Sequence, residues 1–170
     1  RNISTAAGGR LMTASFGATP LHTNLSMQIS EGEYTSVIYG MIKEEKYREV
    51  RPILENQLIL FPDSRAAVSL LAYVCYVSED YAESARYYER LTEICPTEAK
   101  YRFYHAQALH KAALYQDAIS LLQTLENQID MYQQDDDSTL DMDIRKLQAY
   151  SYYNSEEYTK AKALCDKCLP

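Results

Sequence analysis

RAAVSLLAYVCYVSEDYAESARYYERLTEICP, residues 65–96, reads as two short amphipathic helices joined by a tight turn at Glu79-Asp80 and closed by Pro96. Its landmarks recur at a fixed interval. Thirty-four residues separate Tyr47 from Tyr81, Tyr81 from Tyr115, and Pro62 from Pro96. One hairpin of this size cannot bury its own apolar face, so stacked neighbours must supply the other half of the core. The spacing predicts an all-α chain of stacked helix hairpins.

A 34-residue period with small, aromatic and proline positions in phase is the signature of tetratricopeptide repeats. The expected fold is therefore a tetratricopeptide-repeat superhelical solenoid. Repeat 1 is expected at 31–64, with Tyr34, Val37, Ile38 and Met41 on one helix stripe and Val50, Leu54 and Leu58 on the next. Pro52 is expected in the first turn of that second helix, where a missing donor is tolerated. Repeat 2 covers 65–98, with Val68, Leu71, Ala72 and Cys75 facing Tyr81, Ala85, Tyr88 and Leu91. Ala72 stands where two helices must approach closely. Repeat 3 covers 99–132, built on His105, Ala106, Leu109, Tyr115, Ala118, Leu122 and Leu125. The phase then slips, because Tyr158 follows Tyr115 by 43 residues. The nine extra residues are assigned to an acidic loop at 133–141, followed by an incomplete repeat 4 at 142–170. No polar end cap is seen, which suggests the first part of a longer protein.

Residues 1–30 are of different composition, rich in Gly, Ala, Ser and Thr without periodicity. They read as an irregular leader with some transit-peptide character, held by this protein or a partner through Phe16, Leu21 and Leu25. The leader carries Arg1 and Arg10 and no acid, so the net charge of −7 becomes −9 over the remainder. That balance argues against nonspecific nucleic-acid binding. No apolar run approaches the ~20 residues needed to insert across a bilayer. Sixteen tyrosines with no tryptophan suit half-buried helix surfaces, where the ring packs and the hydroxyl stays wet.

Catalytic constellations are not found: no phosphate-binding glycine loop, nucleophile elbow or zincin motif is present. The chain is read as non-enzymatic, with no cofactor. Cys165-x-x-Cys168 lacks the second ligand pair that zinc requires and falls late in a helix, unlike a redox pair. All four cysteines are expected as small apolar core residues in a reducing compartment. The Asp-rich loop fails the calcium-loop template, since Leu140 and Lys146 stand where glycine and glutamate belong. His105 is expected to pack within its helix, and His110 to offer a hydrogen bond to a groove.

The informative surface is the other face of each first helix. It brings Thr35, Tyr39 and Ile42 together in repeat 1, and Ser69, Tyr73 and Tyr76 in repeat 2. Repeat 3 contributes Phe103, Gln107 and His110, and repeat 4 Lys146, Tyr150 and Tyr153, with Lys43 and Lys111 beside them. Tyr39 and Tyr73, again 34 apart, are expected to stack as a ladder. Rigid aromatics with polar tips anchor extended peptides well. Thr35, Tyr39, Ser69 and Tyr73 replace the lysines and asparagines of a carboxylate clamp, so the expected ligand is an extended, partly apolar partner segment. The alternative is an adaptor recruiting a motor or modifying enzyme through its outer surface, around Arg86 and Arg90.

Three runs carry a family resemblance: EGEYTSVIYGMIKEEKYREV at 31–50, SRAAVSLLAYVCYVSEDYAESARYYERL at 64–91, and YRFYHAQALHKAALYQDAI at 101–119. They resemble the opening repeats of the fleer family of tetratricopeptide proteins, subunits of the intraflagellar transport B complex. The phrase RFYHAQALHKA is the most specific part. The resemblance implies a closed superhelix wrapped around a proline-rich extended segment of another subunit of that complex. It implies a place in anterograde transport and cilium assembly, links to a kinesin motor and to axonemal tubulin polyglutamylation, and residence in the cilium or flagellum with a cytoplasmic and basal-body pool. The leader and the acidic loop depart from the family pattern.

Overall fold

A computed structural model describes residues 34–132 and 138–168; the leader and its proposed anchors lie outside these. Eight helices follow one another among the described residues. They are α1 (Tyr34–Lys43), α2 (Tyr47–Leu60), α3 (Arg65–Val77), α4 (Tyr81–Ile94), α5 (Ala99–Lys111), α6 (Tyr115–Tyr132), α7 (Ser138–Asn154) and α8 (Tyr158–Cys168). They pair as four hairpins, each packed on the next, giving the all-α repeat solenoid that the period predicts.

The 34-residue phase has a physical origin at the helix contacts. Ile38, Ala72 and Ala106 are buried at one phase of the first helices. Val50, Ser84 and Ala118 are buried at one phase of the second helices, and Ala161 continues that series after the nine-residue slip. The small members of these series, Ala72, Ala106, Ser84, Ala118 and Ala161, let the helices of the later hairpins close on each other. Ser84 uses its hydroxyl to donate to the Ala72 carbonyl at 2.8 Å, so its polar atom is satisfied inside the contact. The core continues through overlapping clusters: Ile38, Leu54 and Leu71 first, then Val68, Tyr88 and Leu109, then Phe103, Leu122 and Ile144.

All four hairpin turns are built alike. Glu45, Glu79, Ala113 and Glu156 take left-handed φ values of 59°, 64°, 62° and 65°. In the second turn the Glu79 amide donates to the Tyr76 carbonyl and the Asp80 amide to the Cys75 carbonyl, and the other three turns repeat this pair. This is the double bond of a Schellman cap, which satisfies the last carbonyls of each first helix. At the hairpin junction, the Ser64 hydroxyl accepts from the Ala67 amide and starts α3.

Three expectations are corrected. Helix α7 begins at Ser138, so residues 138–141 are helical and not loop. Leu140 is buried in the core and Asp141 pairs with Arg145 at 3.2 Å, which together extend the helix into the acidic stretch. Pro52 lies inside α2 beyond its first turn, removing the donor that would meet the Arg48 carbonyl. Of the cysteines, Cys75 is buried and Cys95 half-buried, but Cys165 is exposed on α8, where no following hairpin covers it among the described residues. Burial pushes the Cys75 thiol up to about 11, so it stays protonated at neutral pH.

Candidate partner-binding face

The first helices do present tyrosines outward at the repeat spacing. Tyr39 is 56% exposed and Tyr73 44%, with Tyr150 at 64% and Tyr153 at 62% on α7. Lys43, Lys111 and Lys146 are exposed, Ser69 and Gln107 half-buried. The Lys146 ammonium lies 3.4 Å from Asp143 on its own helix. A surface ion pair of this kind is weak and leaves the cation available.

Not every expected member of the face is there. Phe103 is buried among Ala106, Leu122, Leu125, Leu140, Ile144 and Leu147. The cause is the start of α7 at Ser138, which brings Leu140 and Ile144 over a position that Thr35 and Ser69 leave more open in the earlier repeats. Tyr39 and Tyr73 make no ring pair among the described residues. Repeats are rotated as well as translated along a solenoid, so a shared phase does not guarantee contact.

Tyr76, His110 and Tyr153 also have local work. Each sits in the last turn of a first helix and packs edge-on against the first tyrosine of the following helix. Tyr76 meets Tyr81, His110 meets Tyr115 and Tyr153 meets Tyr158, every centroid distance being 5.4 Å. These T-shaped pairs brace the Schellman turns. Ile42 and Tyr47 hold the same two positions in the first hairpin, half-buried on a common core cluster. The phase tyrosines Tyr47, Tyr81, Tyr115 and Tyr158 are thus explained as turn braces.

His110 is further committed. The Ser151 hydroxyl donates to the Leu147 carbonyl at 2.8 Å, so its oxygen accepts from His110 Nδ1 at 2.9 Å. His110 Nε2 then accepts from the Asn154 amide at 3.4 Å. Both ring nitrogens are occupied by α7, which corrects the expectation that His110 offers its hydrogen bond to a groove. The bonds fix the neutral Nδ1–H tautomer, and burial together with Lys111 holds the imidazole below its usual range.

One tyrosine that the helical spacing passed over, Tyr104, belongs with this surface, next to the expected core residue Tyr88. Tyr88 is buried beneath it, its ring 5.6 Å from that of the exposed Tyr104. Burial raises the Tyr88 hydroxyl above its usual range, and nearby Tyr104, Tyr76, Tyr73 and Tyr101 add to the effect. Tyr76 and Tyr101 pack against the same core cluster as this buried phenol, and Tyr104 packs beside it. The missed signal was Tyr104 itself, next in sequence to Phe103: the helix presents the second of this aromatic pair outward and the first inward.

No family model matches the chain. Among curated proteins it is 38% identical over 140 residues to intraflagellar transport protein 70A of Xenopus tropicalis, covering 82% of this chain and 20% of that protein. It is 36% identical over 141 residues to the Danio rerio protein of the same name, covering 83% of this chain and 20% of that one. A Drosophila pseudoobscura pseudoobscura tetratricopeptide repeat protein 30 homolog is 32% identical over 147 residues, covering 86% and 21%. Over these aligned residues the chain belongs to the intraflagellar transport protein 70 family, also named tetratricopeptide repeat protein 30. It spans about one fifth of the length of the curated relatives it matches. Among solved structures, MamA MSR-1 superposes with a TM-score of 0.67 at 15% identity, covering 84% of this chain and 80% of that one. That likeness bears on the solenoid fold alone.

Proposed function

We propose that this chain is a non-catalytic scaffold segment of the intraflagellar transport B complex, holding an extended, proline-rich segment of another subunit against the tyrosine face of its first helices. The observation that carries the reading is the outward display of Tyr39 and Tyr73, one repeat apart, with Tyr104 and the tyrosines of α7 further along. An extended proline-rich strand keeps little conformational entropy to lose, and flat aromatic rings suit its surface. In this role the protein supports anterograde transport, cilium assembly and axonemal tubulin polyglutamylation, linked to a kinesin motor, and resides in the cilium or flagellum with a cytoplasmic and basal-body pool.

The test is affinity purification of the complex through this protein carrying Tyr39→Ala and Tyr73→Ala together. Both side chains are largely exposed, so helicity by circular dichroism should be unchanged. Partner retention should fall at least tenfold, and crosslinks from Lys43, Lys111 and Lys146 should converge on one extended segment. Full retention with crosslinks confined to the second helices would replace this reading with outer-surface recruitment.

A further inference from the structure

The second helices of consecutive hairpins flank three equivalent seams, and the outer two are filled. At the α2–α4 seam Arg51 reaches across, with Nε 2.9 Å from Glu55 and Nη1 2.9 Å from Asp80. Tyr87 packs half-buried beside it. At the α6–α8 seam Ile119 is buried with Tyr152 and Ala161, and Gln123 donates to the Tyr152 hydroxyl at 2.7 Å.

The middle seam, α4–α6 over α5, is an open cleft. The repeat phase explains why. Ala85 stands 34 residues after Arg51, and Leu121 stands 34 after Tyr87, so both fillers are replaced by smaller side chains. Glu89 keeps the phase of Glu55, and Asp117 that of Glu83. The seam has lost the arginine and kept one of its two acceptors, since Glu89 matches Glu55 while Leu114 stands at the phase of Asp80. Buried Ala85 and Leu109, half-buried His105 and exposed Leu114 line the cleft. Arg86, the cation of the rim, is engaged by Glu83 at 2.7 Å. Glu89 and Asp117 take part in no ion pair among the described residues.

We propose that this cleft receives an arginine side chain from a partner protein. The guanidinium would sit at Glu89, as Arg51 sits at Glu55 in the neighbouring seam, and would turn to Asp117 for its second carboxylate, with its aliphatic stem over Ala85 and Leu109. Charge selects the occupant, because the rim offers uncompensated carboxylates. Shape selects arginine, whose planar fork engages two carboxylates while its stem covers apolar surface. The cleft lies on the second-helix side and is separate from the tyrosine face, so it stands or falls independently of that reading.

The probe is the peptide N-acetyl-Leu-Arg-Leu-amide, titrated into the isotopically labelled protein and followed by nuclear magnetic resonance. Its citrulline counterpart, equal in shape without the charge, is the control. The arginine peptide should shift the His105 ring and the Leu109 and Leu114 methyl signals saturably, at least tenfold more tightly than the citrulline peptide. Glu89→Gln, at an exposed position, should weaken binding at least tenfold. Ala85→Arg should fill the cleft from within, as Arg51 does at its own seam, and abolish binding. Equal affinity for the two peptides, binding indifferent to Glu89→Gln, or shifts centred on Tyr39 and Tyr73 would each overturn the proposal.

Discussion

Ala113 occupies a left-handed turn position with φ of 62°, where glycine would be at ease. A side chain there costs roughly 1–2 kcal/mol, while glycine loses about 0.5–1 kcal/mol of unfolded-chain freedom. Ala113→Gly should therefore stabilise the protein by about 0.5–1 kcal/mol, read as a higher urea midpoint at unchanged slope. The glutamates at the equivalent turns are poorer tests, because their substitution also removes a charge. A lowered midpoint would mean that the turn draws its stability from the methyl group and not from the backbone. Ala72 carries the opposite message. It is fully buried, and the Ser84 hydroxyl lies 2.8 Å from its carbonyl. Ala72→Phe should wedge α3 from α4 and destabilise by about 1–3 kcal/mol or more, since a packed contact has no room for a ring. A midpoint within error of the parent would show that the hairpin can open there without loss.

Between elements, the tie from α5 to α7 is a pH-sensitive contact. His110 accepts from Asn154 through Nε2, a bond that requires the neutral ring. Protonation would set an N–H against the Asn154 amide donor in a half-buried site. His105 is likewise held below its usual range by burial, partly offset by Glu89. For a base whose folded pKa is depressed, the unfolded chain binds more protons at low pH. The stabilisation is thus complete above the unfolded value of about 6.5 and is lost as pH falls below it through the folded value. Urea midpoints should fall from about pH 7.5 to 5.5, and His110→Gln should flatten that slope while costing about 1 kcal/mol at neutral pH. A slope identical in His110→Gln would assign the pH dependence to His105 or to the carboxylates.

At the scale of the whole molecule, the 34-residue period runs through the first three hairpins because each repeat must answer the same packing demand at the same phase, and the fourth follows only after a nine-residue slip. Tyr47, Tyr81, Tyr115 and Tyr158 announced the turns, and buried Ile38, Ala72 and Ala106 the helix contacts. The face was less legible, because periodicity tells which residues share a phase and not which neighbour covers them. Phe103 looked like a groove residue until the early start of α7 laid Leu140 and Ile144 across it. The same neighbour dependence predicts how the array fails. Each core cluster spans only adjacent hairpins, so damage should remain local. Phe103→Ala removes a ring that bridges α5, α6 and α7, at a cost of about 3–5 kcal/mol to the packing there. Hydrogen exchange should accelerate strongly in α7 and α8, which stay docked through that cluster. It should change far less in α1 and α2, whose core of Ile38, Val50 and Leu54 has no contact with it. Uniform acceleration across all eight helices would instead mean that the four hairpins unfold as one cooperative unit, with nearest-neighbour coupling stronger than the stability of any single hairpin.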